Sequence, residues 1–180
     1  DARIDADNIT VSSKMLGRIV NVYAQEGDAV TKGKLLAELD SSDLIAQRNQ
    51  AMALRIQALA NLNQVNAKYA SDQQSMRVVE INLERAREDL ARAKKQSEGG
   101  VITEEQYDHI TKAYEAASAQ ADASKALISV SKLQISSASA AVETANAQIK
   151  VFDTQLKNTR LSSPANGVIA KRWLLPGDVI

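Results

Sequence analysis

Between about residues 42 and 159, apolar side chains recur at alternating steps of three and four, the period of a helix that buries one stripe. With Tyr107 as a starting position, Tyr114, Ala121, Ile128, Ile135, Val142, Ile149 and Leu156 follow every seven residues. The positions between them read Ile110, Ala117, Ser124, Ser131, Ala138, Ala145 and Phe152, so large residues alternate with small ones along a coiled-coil seam. An answering stripe runs through Leu62, Val65, Tyr69, Met76, Val79, Leu83, Ala86, Leu90 and Ala93, with Asp72 as its one polar member. Asp72 is expected to reach solvent at a thin two-helix interface; a register-setting role is the alternative. Upstream, Ile45, Met52, Ile56 and Leu59 hold a shifted phase, and the step from Leu59 to Leu62 predicts a stammer, a local overwinding.

The punctuation of this region predicts two helices with one break. It contains no Pro, and its only glycines are Gly99 and Gly100. The helices are placed at about 42–98 and 103–159, with a tip at about 97–103. Ser41 or Ser42 can cap the first helix, with Asp43 in its first turn. Lys94 and Lys95 suit its C-terminal end, and Gly99 or Gly100 can take the left-handed position that closes it. Thr103, with Gln106 three residues on, forms a capping box for the second helix. Arms of about 55 residues at 1.5 Å per residue make a hairpin roughly 80 Å long.

Outside the helices the pattern changes to short strands. Ile9–Val11, then Ile19, Val22 and Tyr23, then Leu35, Leu36 and Leu39 are apolar, separated by Gly17, Gly27-Asp28 and Gly33. The far end repeats the near one. Gly17, Ile19, Tyr23, Gly27-Asp28 and Val30 match Gly167, Ile169, Trp173, Gly177-Asp178 and Ile180 at a constant offset of 150 residues. Ser12-Ser13 and Ser162-Ser163 carry the same register upstream. A constant offset over this many positions marks two equivalent halves of one small unit. An antiparallel hairpin leaves and returns at one place, so it can be inserted between such halves without separating them. The predicted fold class is therefore α+β: a long antiparallel coiled-coil hairpin (41–160) between the first half (1–40) and second half (161–180) of a small β-domain.

Composition narrows the function. Lys+Arg and Asp+Glu are both 22, and no basic stripe stands out, which argues against nucleic acid as a partner. There is no Cys, so disulfides and thiolate sites are excluded. No apolar run approaches the roughly 20 residues that cross a bilayer. The chain starts at Asp rather than Met, which reads as a processed or excised form. The lone His109 is expected to be exposed, and Met15, Met52 and Met76 are too scattered for a thioether metal site. No Ser-His-Asp set, phosphate-binding glycine loop or catalytic acid pair is present, so no enzymatic activity, catalytic residue, cofactor or metal is expected.

Two Gly-Asp half-motifs split by a long helical hairpin resemble the periplasmic adaptor, or membrane fusion, proteins of the HlyD family, over essentially the whole chain. Their base is lipoyl-like. Around the tip, Arg92 matches the family's Arg, and Thr103 keeps the hydroxyl of its Ser, while Gln96 stands where the family has Leu. "ITEEQYD" resembles the family's start of the second helix. The resemblance implies an adaptor that links an inner-membrane transporter of ABC, RND or MFS type to a TolC-like outer-membrane channel in efflux or secretion. It implies a homo-oligomeric, hexameric ring and hairpin tips that meet the channel. Arg92, Gln96, Gly99, Gly100 and Thr103 are then the partner-binding candidates. It also implies the periplasm of a Gram-negative bacterium, with anchoring to the inner membrane through a segment outside this sequence. A Gly three residues past Ile180, followed by apolar residues, would complete the second half-motif. One alternative is a coiled-coil spacer or assembly protein with no transport role. The other is a lipoyl or biotinyl carrier, which Asp43 disfavours by standing where the modified Lys would be.

Overall fold

The computed structural model describes residues 8–180; residues 1–7, which open the predicted 1–40 segment, lie outside the described residues. The elements run β1 (Ile19–Val22), β2 (Ala29–Val30), β3 (Leu35–Leu39), α1 (Ser42–Glu98), α2 (Glu104–Asn158), β4 (Arg160–Ser162) and β5 (Gly167–Val168). The fold is a helical hairpin inserted between two halves of a small β-unit. One compact unit holds the β-elements and the helix feet, up to Leu54 and again from Ala145. The other is Arg55–Thr144.

In the first unit β3 lies between β1 and β4, antiparallel to both, and β2 pairs with β5. The halves are bonded to each other by two matching sets of backbone hydrogen bonds. Gly27 N donates to Ile169 O and Ile169 N to Asp28 O; 150 residues on in register, Gly177 N donates to Ile19 O and Ile19 N to Asp178 O. Gly17 exchanges both its bonds with Ile180, as Val30 pairs with Gly167. The turns match as well. Asp28 Oδ2 accepts from Gln25 N at 2.9 Å, and Asp178 Oδ2 accepts from Leu175 N at 2.8 Å. Gly27 and Gly177 have φ of 90° and 98°, a region that side chains disfavour. Even Ser13 and Ser163 repeat one bond, each hydroxyl donating to the carbonyl two residues on.

The core follows the same symmetry. Ile19, Ala37, Leu39 and Leu161 form one buried cluster, against which Leu174 and Ile180 pack. Ala24, Val30 and Leu36 form the other, joined by Ile169. Each cluster is completed by residues from the opposite end of the chain, so neither half can bury its apolar face alone. Ile9–Val11, expected as a strand, is not one. Its counterpart Leu161 is held in β4 by pairing with β3. Among the described residues no strand pairs with Ile9–Val11.

The hairpin helices are capped by local chemistry. Ser41 takes the N-cap position, its carbonyl accepting the first helical bond from Ile45 N at 2.9 Å, and the side-chain acceptor is Asp40, whose Oδ1 accepts from Ser42 N at 3.0 Å and from Ser42 Oγ at 2.5 Å. The two Ser42 bonds hold the Asp40 carboxyl below its ordinary pKa. At the feet, Arg48 donates to Asp153 across the hairpin at 2.5 Å.

Along α2, every residue of the predicted seam from Tyr107 to Leu156 is buried or half-buried. The small positions are covered most fully: Ala121 is 0% and Ser131 1% exposed. Small residues let the backbones approach, and the larger ones splay to the sides of a two-helix interface. On α1 the stripe from Leu62 to Ala93 also faces inward, but the predicted stammer does not exist. The inward positions continue upstream as Ala58, Arg55, Ala51, Arg48 and Leu44, with no break in the alternation of three and four. Ile45, Met52 and Ile56 are instead exposed. Arginine enters the seam by laying its aliphatic stem along it.

Asp72 does not simply reach solvent. Its side chain is 15% exposed, accepts from Lys68 Nζ at 2.7 Å, and takes a short hydrogen bond from Ser131 Oγ of the other helix. The Lys68 and Ser131 bonds together hold its carboxyl below the ordinary range. A depressed pKa in the folded state means the stabilisation is present in full above the unfolded Asp range and is lost progressively as pH falls from there through the lower folded-state value. Thermal melts followed by circular dichroism at about pH 7 and about pH 3 should therefore show a smaller drop in Tm for Asp72→Asn than for the parent chain. Equal drops would remove Asp72 from the account.

Candidate partner interface at the hairpin turn

The turn between the helices is fixed by two capping motifs that share five residues of connection. Gly100, at φ 68°, lets the chain reverse, and Val101 N donates to Gln96 O at 2.8 Å while Gly100 N donates to Ser97 O at 3.0 Å. This pair of bonds is a Schellman closure, which satisfies the last carbonyls of α1. Two residues later the capping box is complete. Thr103 N donates to Gln106 Oε1 at 3.0 Å, and Gln106 N donates to Thr103 Oγ1 at 3.2 Å. Lys95 in the last turn of α1, and Glu104 and Glu105 in the first turn of α2, complement the two helix ends.

The candidate residues therefore take separate parts. Gln96, Gly99, Gly100 and Thr103 meet in the turn, and all four are exposed. Gln96 contributes its backbone carbonyl to the closure, which leaves its side chain unused there. Thr103 spends its oxygen on the Gln106 amide and keeps its hydroxyl proton for another acceptor. Arg92 does not join them. It lies more than a helical turn back and pairs with Asp89 at 3.6 Å, with its side chain 67% exposed. The residue not singled out in the sequence is Val101, an apolar side chain 72% exposed at the apex. The signal was there: an apolar pair, Val101-Ile102, directly after two glycines, of which only Ile102 tucks in.

Just beyond the apex, a surface depression is lined by Ile102, Glu105, Gln106, His109 and Ile110. At its edge Lys112 Nζ donates to Asp108 Oδ2 at 2.6 Å, and that bond raises the Lys112 pKa. Among the described residues no group of acids and histidine is placed to hold a metal ion. The arrangement offers shape, mixed charge and one apolar knob, which is the chemistry of a protein contact.

The family described as "RND MFP, barrel-sandwich hybrid domain" matches residues 7–180. The chain belongs to this membrane fusion protein family. It is 26% identical over 184 residues to the multidrug export protein EmrA of Haemophilus influenzae, covering 100% of this chain and 47% of that protein. It is 31% identical over 131 residues to the colistin resistance protein EmrA of Acinetobacter baumannii, covering 67% of this chain and 36% of that protein. A solved structure of the periplasmic adaptor protein EmrA aligns with a TM-score of 0.49 at 19% identity, over 98% of this chain and 69% of that one. The chain thus spans about half the length of the first of these relatives.

The two glycines of the turn should differ under substitution. A Cβ on Gly99 would meet Lys95 O at 3.5 Å, an ordinary contact, whereas Gly100 has open space but a left-handed φ of 68°. Gly100→Ala should cost about 1–2 kcal/mol in urea denaturation, and Gly99→Ala clearly less. A larger loss at Gly99 would contradict the Schellman assignment.

Proposed function

We propose that this chain is the base and hairpin portion of a periplasmic adaptor subunit, which links an inner-membrane transporter to a TolC-like outer-membrane channel in a Gram-negative bacterium. Residues 1–40 and 161–180 act as the two halves of the lipoyl-like base, and 41–160 as the hairpin that carries the tip. The tip, with Gln96, Gly99, Gly100 and Thr103 around Val101 and Arg92 set back along α1, is the part that meets the channel. Copies assemble in a ring of about six, as the family resemblance implies. Their role is geometric, with no bond made or broken: the base holds position and the hairpin projects the contact. No described helix is long and apolar enough to cross a membrane. Attachment to the inner membrane through a segment outside this sequence is what the family resemblance implies.

The observation that carries this reading is the insertion itself. The hairpin whose turn exposes Val101 is inserted in the chain between the two halves of a β-unit that both ends of the chain close. Membership of the membrane fusion family supports it, and so do the export and resistance roles named for the Haemophilus and Acinetobacter relatives. The chain has no native thiol, so single cysteines report cleanly. Gly99→Cys or Val101→Cys should crosslink to an outer-membrane channel protein in cells, and a cysteine at exposed Lys34 on the base should not. Crosslinks from the base but none from the tip would overturn the assignment.

A further inference from the structure

The link between β4 and β5, residues 163–166, runs into the only Asn-Gly step of the sequence, Asn166-Gly167. Asn-Gly usually marks a tight turn in which both residues take positive φ. Here neither does: among the described residues positive φ is confined to Gly27, Gly33, Gly100 and Gly177. Nor does the half-motif require Asn, because the residue 150 places earlier is Leu16. Asn166 instead ties the two halves together. Lys32 N donates to its Oδ1 at 2.8 Å, across 134 positions of the chain. Gly167 stands opposite Val30 in the β2–β5 pair. Ile169 N donates to Asp28 O, and the alternation of an antiparallel ladder places Gly167 and Val30, two residues along, in the next hydrogen-bonded pair.

Both restraints fall on atoms that have a reaction of their own. In an Asn-Gly step the Gly amide nitrogen can attack the Asn side-chain carbonyl carbon, since Gly has no Cβ to crowd the approach. The carboxamide nitrogen of Asn166 leaves as ammonia, taking the proton of Gly167 N, and a five-membered imide forms. Water then opens the imide at either of its two carbonyls. One opening gives Asp; the other gives isoaspartate, whose main chain runs through the former side-chain methylene. The co-reactant is solvent water, and Asn166 and Gly167 are both exposed to it. In the closed fold, however, the ladder occupies Gly167 N and the Lys32 bond holds the carboxamide, so attack requires the release of both. Those bonds sit at a weak place. β2 and β5 have two residues each and pair only with one another. Pairs so short open locally without global unfolding.

We propose that Asn166-Gly167 is a self-modification site gated by closure of the β-unit: it deamidates while β2 and β5 are parted and stalls while they are paired. The isoaspartate product then keeps them parted. It adds a methylene to the main chain between β4, set on β3 by Ser162 opposite Leu35, and β5, set on β2 by Gly167 opposite Val30. The lengthened link no longer fits both registers, and Ile169, which completes the cluster of Ala24, Val30 and Leu36, is displaced with β5. The base thereby records the time it has spent open.

The test incubates the full chain, folded and in about 6 M urea, at mildly alkaline pH. Trypsin cleavage after Arg160 and Lys171 releases residues 161–171, in which Asn166 is the only Asn. Conversion reads as a gain of about 1 Da in that peptide. It should be at least about tenfold slower in the folded chain than in urea. Val30→Ala, which thins the cluster and leaves the Asn-Gly step untouched, should raise the folded-state rate severalfold. Where that variant does not fold, the parent chain in urea below its unfolding transition makes the same comparison and should show the same rise. Equal rates folded and unfolded, or no rise on either loosening, would overturn the gating. The converted chain, separated by its added negative charge, should unfold at lower urea than Asn166→Asp, which carries the charge without the methylene. Equal midpoints would overturn the claim that the product holds the unit open.

Discussion

The reciprocal backbone pairing of residues 17–19 with 178–180, and of 27–30 with 167–169, is the constraint on which the rest of this chain depends. Short strands of two to five residues hold little on their own. Here each half supplies the partner the other lacks, and each apolar cluster is finished by the opposite end. Everything between the halves must therefore leave and return at one place. A pair of antiparallel helices meets that demand with only one reversal of direction, and the Gly100 closure and the Thr103 box together supply it.

The hairpin meets the demand with little bulk. Two helices cannot bury large side chains on all sides, and along this seam the fully covered residues are mostly small. Close backbone approach and an unbroken step of three and four replace the mass of a globular core. Two polar ties cross the seam, Arg48 with Asp153 and Asp72 with Ser131. Each is a directional contact in an interface that is otherwise free to slide, since apolar stripes of one period match at any multiple of seven. The largely covered Asp72–Ser131 pair forfeits its bond when shifted, and this gives the register an energetic preference that packing alone lacks.

Much of this was legible in the sequence because it is written in short-range chemistry. Each Gly-Asp turn, the α2 seam and the capping box depend on residues a few places apart, and the turns are linked only by their shared offset. Where reading failed, a second signal of the same kind competed. Ile45, Met52 and Ile56 look like a seam to any count of apolar residues, and Arg48 and Arg55 do not. Only the continuity of spacing from Leu62 back to Leu44 reveals which stripe turns inward. Asp40 was passed over as the capping side chain because two serines follow it. Ile9–Val11 has strand composition, but a strand requires a neighbour. The candidate site divides along the same line. Its turn geometry was readable from Gly100, Thr103 and Gln106, whereas Val101 and the separation of Arg92 from the turn depend on exposure and reach in three dimensions.

The uninterrupted seven-residue step has a consequence for how such chains diverge. Because the seam keeps one phase from Leu44 onward, one heptad gained in both arms at matching heights would lengthen each arm by about 10 Å and leave both feet and turn intact. Reach is thereby decoupled from foundation. Descendants of one ancestral subunit could span gaps of different depth by insertion or deletion alone, without relearning how to fold.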